Sequence, residues 1–228
     1  CGSGQESIGG EGEHVMRPMS LAELQVPMAA QLQGGDASIV GVSTDSRSLR
    51  PGDLFVALRG ENFDGHDYVT QVQDSGASAL LVSSPVSAAL PQLQVQDTQR
   101  ALGLLGAYNR RFYDGPLVAI TGSSGKTTVK NMVHAVFARC GETLATQGNF
   151  NNEIGVPLTL LRLRPEVEFA VVEMGAARAG DIDWLCELAH PNVALLLNAM
   201  PAHLEGFGSI EGVAAAKGEI FDRLGETD

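Results

Sequence analysis

The first hundred residues alternate short apolar runs with turn residues. Ile39–Val42, Leu54–Leu58, Ala79–Val82 and Leu93–Val95 are β-rich runs of strand length, and Pro51-Gly52, Gly60 and Asp64-Gly65 punctuate them. The pattern predicts a compact α/β module with one short helix. From Asp97 the period changes. Ala101, Leu104, Leu105 and Tyr108 recur at helical spacing behind an Asp N-cap, Arg110-Arg111 suits the helix C-terminus, and Asp114-Gly115-Pro116 breaks the chain.

Strand and helix then alternate: strand 117–120, helix 127–140, a long loop, strand 169–173, helix 181–190 stopped by Pro191, strand 193–197, and helix 210–224 behind Ser209. Val129, Met132, Val133, Val136, Phe137 and Cys140 form one predicted apolar helix face, closed by Gly141; Ile182, Leu185, Cys186 and Ala189 form another. Such alternation implies a parallel sheet covered by helices. The fold class is therefore α/β, with a module over 16–98, a linking helix over 99–115 and a parallel-sheet module over 116–228. Residues 1–15 are Gly/Ser/Glu-rich without Lys or Arg, unlike a signal peptide. They read as a tag or upstream remnant and are set aside, with Met16 as the expected native start.

Composition narrows the classes. A chain of 228 residues suits two modest domains or one large one, and no stretch reaches membrane-spanning length. The net charge of −12 argues against nucleic acid or anionic membrane as partner, so an anionic ligand must be held by local devices and metal ions. Cys1, Cys140 and Cys186 show neither metal-binding nor redox spacing, and the latter two fall on apolar helix faces. This predicts a reduced, cytoplasmic protein, expected to be a monomer.

The chemistry concentrates at one junction. Leu117–Ile120, a buried-strand run, leads into Gly122-Ser123-Ser124-Gly125-Lys126-Thr127, which opens an amphipathic helix. Glycines let backbone N–H groups close around phosphate, the helix N-terminus adds positive potential, Lys126 can reach terminal phosphates, and the Thr127 hydroxyl can join a Mg²⁺ shell. The usual phosphate loop has four residues between its glycines; here Ile120 occupies the earlier glycine's place and the spacing is Gly-x-x-Gly-Lys-Thr. Ligands in such sheets bind beyond the carboxyl ends of the strands. Glu173, ending an apolar strand, and the stretch Asn198 to His203 fall at that edge beside the glycine loop. A carboxylate there suits a cation, the alternative being a solvated strand-end Glu, and His203 could coordinate metal or do no chemistry. His134 and His190 read as bland. On residue type alone Lys217 is a surface lysine. Asn149 to Pro157 is dense in amides, which suit sugar hydroxyls or phosphates but also an ordinary turn.

Together these segments resemble the ATP-dependent Mur ligases of peptidoglycan synthesis. Thr121 to Thr128 looks like that family's variant phosphate loop, with Thr128 adding to the nucleotide contacts. Thr44-Asp45-Ser46-Arg47, Pro51 to Leu58 and Asp64-Gly65-His66 resemble its uridine-nucleotide-binding N-terminal domain. Gly148 to Pro157, Glu173-Met174-Gly175 with Gly180-Asp181-Ile182, and Ala202 to Gly208 are similar to the branch that adds D-alanyl-D-alanine. The resemblance implies ATP and Mg²⁺ as cofactors, with UDP-N-acetylmuramoyl-tripeptide and D-alanyl-D-alanine as substrates. It makes Glu173 and His203 Mg²⁺ ligands and Lys217 a carbamylated lysine binding a second Mg²⁺. It places Ser46, Glu61, Asn62 and Phe63 at the uracil end, Asn151 and Asn152 at the substrate pyrophosphate, and Arg47 among the substrate-site residues. The implied reaction forms an acyl phosphate that an amine attacks, positioning and charge neutralisation being the protein's part. Family members run to about twice this length, so the chain looks like a first half, expected to be inactive alone. Remaining alternatives are a family member adding a diamino acid, a nucleotide-binding module without activity of its own, and a phosphate-loop kinase, which leaves the N-terminal module unexplained.

Overall fold

The computed structural model of the chain describes residues 16–201 and 204–225. Its first part starts with β1 (Met19–Ser20), α1 (Leu21–Leu24), β2 (Gln31–Gln33), β3 (Ser38–Ile39), β4 (Gly41–Ser43), β5 (Asp53–Val56), a 3-10 turn at Gly65–Tyr68, α2 (Val69–Asp74), β6 (Ala79–Val82) and β7 (Gln92–Gln94). Strands β4, β5, β6 and β7 run parallel in the order β2-β7-β6-β5-β4, with β2 antiparallel at the edge. The unbroken apolar runs of β5 and β6 follow from burial on both faces. Leu54, Val56, Ala79 and Leu81 feed one core with Leu21 and Leu24 of α1; Phe55, Leu80 and Val82 feed another with Val69 and Val72 of α2.

The predicted strand 39–42 is in fact two. Ile39 pairs with Met19 in a small antiparallel ladder, Val40 donates its N–H to the Gly52 carbonyl, and Gly41 opens the pairing with β5. A continuous apolar run concealed a change of partner.

Helix α3 (Thr98–Arg110) starts as predicted, with the Asp97 carboxylate accepting from the N–H groups of Gln99 and Arg100. Ala101, Leu102 and Leu105 enter the α1-side core. Another face of the helix meets the second half of the chain: Asn109 Nδ2 donates to the carbonyls of Leu160 and Leu163, and the Arg110 guanidinium to those of Ala189 and His190. At Gly106 a Cβ would lie 2.9 Å from Pro157 Cα, so this backbone approach demands glycine.

The second sheet is built from β8 (Leu117–Thr121), β9 (Thr143–Ala145), β10 (Phe169–Glu173) and β11 (Val193–Leu196), connected through α4 (Lys126–Phe137), α5 (Gly155–Leu160) and α6 (Asp181–Ala189). All pairings are parallel, in the order β11-β8-β10-β9. The predicted long loop thus holds a strand and a helix. After the sheet come α7 (Leu204–Phe207) and α8 (Ile210–Gly218), capped by the Ser209 hydroxyl and followed by a 3-10 turn at Glu219–Phe221. The predicted helix 210–224 therefore ends earlier.

Helix α4 also departs from expectation. It stops at Phe137, and Cys140 beyond it is exposed. Val129, Val133 and Phe137 pack on the sheet, whereas Met132 and Val136 are 61% and 62% exposed. The helix is rotated so that Lys130 lies on the sheet-facing side. Cys186 does behave as a core hydrophobe, and burial followed by the nearby Asp183 charge pushes its thiol up to about 12.

Candidate functional site

Strand β8 is where the second sheet reverses its order. The chain leaves it through α4 to β9, returns to β10 beside β8, and later places β11 on the other side. The carboxyl ends of β8, β10 and β11 therefore meet at a topological switch point, the place where open parallel sheets bind ligands. The glycine loop leaves β8 at that point. Gly125 holds φ +80° as the N-cap of α4, a left-handed conformation that disfavours other residues.

The loop is braced from β11. Asn198 Oδ1 accepts the N–H groups of Ser123 and Ser124, Asn198 Nδ2 donates to the Ser124 carbonyl, and Ser123 Oγ accepts from the Met200 N–H. The sequence placed Asn198 only at the start of a polar stretch; its position directly after an apolar strand was the available signal. Lys126 is half-buried, its Nζ donating to the Gly122 carbonyl at 2.8 Å across the loop.

Glu173, the last residue of β10, is 2% exposed. Oε2 accepts from the Thr127 hydroxyl at 3.0 Å and Oε1 from Asn151 Nδ2 at 2.9 Å. The solvated-glutamate alternative is therefore overturned. Both donors are neutral, and no cationic side chain pairs with this carboxylate among the described residues. A buried carboxylate without a counter-ion, touching a hydroxyl at the mouth of a phosphate-type loop, fits a hard, oxygen-seeking cation such as Mg²⁺.

Lys217 is not a surface lysine. It is 2% exposed, and burial first, then the Lys126 charge, hold its pKa below the usual lysine value. Its Nζ lies 5.9 Å from the centre of the Phe207 ring. Glu219, two residues on, accepts the N–H groups of Gly180 and Asp183 and so pins this end of α8 to the start of α6. His203 lies outside the described residues, as do residues 1–15.

The other predicted positions are spread over two places. Asn151 joins Glu173, while Asn152 Oδ1 accepts from the Gly155 N–H at the start of α5. Thr128 is exposed on the first turn of α4. Ser46 and Arg47 sit in the turn after β4, Arg47 being paired with Asp45 at 2.7 Å, and this turn borders a cleft of about 470 Å³ shared with Gln147, Phe150 and Arg162. Glu61, Asn62 and Phe63 are exposed on a loop after β5. Asp64 anchors that loop: it accepts from the His66 N–H and from Arg59, and contacts His66 Nδ1. His66 Nε2 faces the Ser83 N–H, which can only donate, so Nδ1 carries the proton shared with Asp64.

Lys130 and Thr146 were missed altogether. Lys130 stands seven residues before Phe137 and three before Val133, on the stripe that faces the sheet, so helical periodicity carried the signal.

Comparison with known proteins places these features in context. The Mur ligase middle domain matches residues 120–228 and the Mur ligase family catalytic domain matches 38–110. The UDP-N-acetylmuramoyl-tripeptide–D-alanyl-D-alanine ligase of Escherichia coli is 53% identical over 211 residues, covering 92% of this chain and 47% of the relative. The Bacillus subtilis protein of the same name is 40% identical over 212 residues, covering 91% and 46%. Among solved structures, MurF from Acinetobacter baumannii matches with a TM-score of 0.88 at 41% identity, covering 92% of this chain and 48% of that one. MurF ligase from Thermotoga maritima in complex with ADP matches with a TM-score of 0.75 at 37% identity, covering 81% and 43%. The chain spans about half the length of the curated relatives it matches.

Proposed function

Because the chain belongs to the Mur ligase family, we propose that it forms the UDP-substrate- and nucleotide-binding part of an ATP-dependent ligase joining D-alanyl-D-alanine to UDP-N-acetylmuramoyl-tripeptide. In this reading residues 16–98 bind the UDP-substrate, 99–115 connect, and 116–228 belong to the ATP-binding middle domain. The observation that carries it is the buried, uncompensated Glu173 carboxylate against Thr127 at the opening of α4.

Residues Gly122 to Thr128 hold the nucleotide phosphates through backbone N–H groups and the Lys126 ammonium, which gives up its bond to the Gly122 carbonyl. Thr127, Glu173, His203 and Lys217 as its carbamate would hold Mg²⁺. Bound Mg²⁺ supplies charge neutralisation for phosphoryl transfer. Lys217 is suited to carbamylation because burial, then the Lys126 charge, lower its pKa and so favour the neutral amine that the reaction needs. The nitrogen lone pair attacks the carbon of CO₂, a C–N bond forms as one C=O π bond breaks and its pair moves onto oxygen, and one amine proton leaves to solvent, giving the carbamate anion. Ser46, Glu61, Asn62 and Phe63 receive the uracil end of the UDP-substrate, Asn151 and Asn152 its pyrophosphate, and Arg47 lines the same substrate site. The protein's contribution is orientation and fixed charge rather than a covalent nucleophile.

Lys126→Ala tests this. In the protein spanning the full length of its relatives, substrate-coupled ATP turnover should fall by about a hundredfold or more, since no other loop side chain carries positive charge. A variant keeping a tenth of the parent rate contradicts the assignment.

A further inference from the structure

Lys130 is a lysine whose burial needs an explanation. It lies on α4, 4% exposed, and its Nζ donates to the Thr146 carbonyl at 2.7 Å. No carboxylate pairs with it among the described residues, so the charge is desolvated without a counter-ion. A leucine or methionine would occupy the same stripe at lower cost.

The bond leads back to the site. Thr146 follows β9 directly, with its N–H donating to the Val171 carbonyl of β10. Its Oγ1 accepts the backbone N–H of Glu173 at 2.9 Å in a buried bond. Glu173 Oε2 in turn accepts from Thr127, which stands three residues before Lys130 on the same helix. The four residues close a ring: Lys130 to Thr146, Thr146 to Glu173, Glu173 to Thr127, and one helical turn back to Lys130. Two of its members are the oxygen donors that fit a divalent cation.

We propose that Lys130 is a positioning residue that, through Thr146, sets the Glu173 carboxylate at the distance from Thr127 that a divalent cation requires. This rests on the nucleotide-site reading above. The ammonium fixes α4 to the end of β9, and the Thr146 hydroxyl transmits that position to the last peptide of β10. Without the tie, helix and strand end are free to shift against each other, and a cation that demands close oxygen geometry is the first to register the change.

The test uses the 228-residue chain with Mn²⁺ as a paramagnetic probe, in the presence of a non-hydrolysable ATP analogue. Free Mn²⁺ is read by electron paramagnetic resonance. Lys130→Met should weaken Mn²⁺ binding by about tenfold or more, the range seen when groups supporting metal ligands are removed. The affinity for the analogue without metal should stay within about twofold. Thr146→Val keeps the carbonyl that Lys130 bonds but removes the hydroxyl; it should reproduce the loss, and the double variant should lose no more than the worse single one. Lys130→Arg, which retains a donor, should recover most of the affinity. Amide exchange at Glu173 should accelerate in both Lys130→Met and Thr146→Val. Should Lys130→Met fail to fold, Thr146→Val carries the test by itself. Mn²⁺ affinity equal to the parent in Thr146→Val, or losses that multiply in the double variant, overturns the proposal. A parent chain that takes up no Mn²⁺ with the analogue overturns the nucleotide-site reading and the positioning of Glu173 with it.

Discussion

The two parallel sheets end differently at their carboxyl edges. After β5 and β6 of the first sheet the polar groups satisfy one another: Asp64 engages Arg59 and His66, and His66 engages Ser83. After β8 and β10 of the second sheet, charges are buried without partners of opposite sign. Glu173 meets only neutral donors, Lys130 only a carbonyl, and Lys217 has no hydrogen-bond acceptor among the described residues. The first edge is chemically closed and serves to hold the loop that carries Glu61, Asn62 and Phe63. The second keeps unspent charge, which is what a site for a multiply charged ligand requires. Burial of charge without compensation distinguishes the two more sharply than any motif.

Removing one of those unspent charges should produce the largest effect. In the protein spanning the full length of its relatives, Lys217→Ala should lower ligation on the order of a thousandfold. A small carboxylic acid added to the assay should restore part of the rate by filling the vacated space. Full activity of the variant would return Lys217 to a structural role.

The sheets should also differ in stability. Leu81 on β6 is fully buried, whereas Leu195 on the edge strand β11 is only half so. Urea unfolding should give a loss of about 3 kcal/mol for Leu81→Ala and about 1 kcal/mol for Leu195→Ala. Equal losses would mean that β11 is as well packed as the centre of the first sheet. An effect as small as that of Leu195→Ala belongs to the helix between them. Asp97→Ala removes the N-cap of α3 and should cost about 1 kcal/mol in the same assay, with the glycine loop and Glu173 untouched.

Much of this organisation was legible in the residues. Strands 79–82 and 169–173 matched residue for residue, because fully buried strands carry unbroken apolar runs between turn signals. Asp97 and Ser209 announced their helices by local hydrogen-bonding chemistry, which needs no tertiary context. The split at Val40 was invisible because pairing partners are a property of the sheet rather than the strand. Helix α4 was misread for a related reason. Met132 and Val136 counted as core on hydrophobicity, while Lys130 went unread, yet the sheet accepts the lysine because a carbonyl waits at the end of β9. Lys217 was legible only through family resemblance: its residue type argues for the surface, and nothing local says otherwise. Of the site, the glycine loop and Glu173 could be read from pattern, since strand ends and helix starts are local events. The brace from Asn198 and the ring through Thr146 depend on contacts between segments far apart in the chain.

Helix α3 gives one face to the α1-side core and another to α5 and α6, where its bonds through Asn109 and Arg110 hold the second half of the chain. Neither half can therefore melt while leaving its neighbour intact, because the first to lose its structure takes with it a wall of the other. The expected outcome is that unfolding of the described residues follows one sigmoid, whether it is watched from the first sheet or the second.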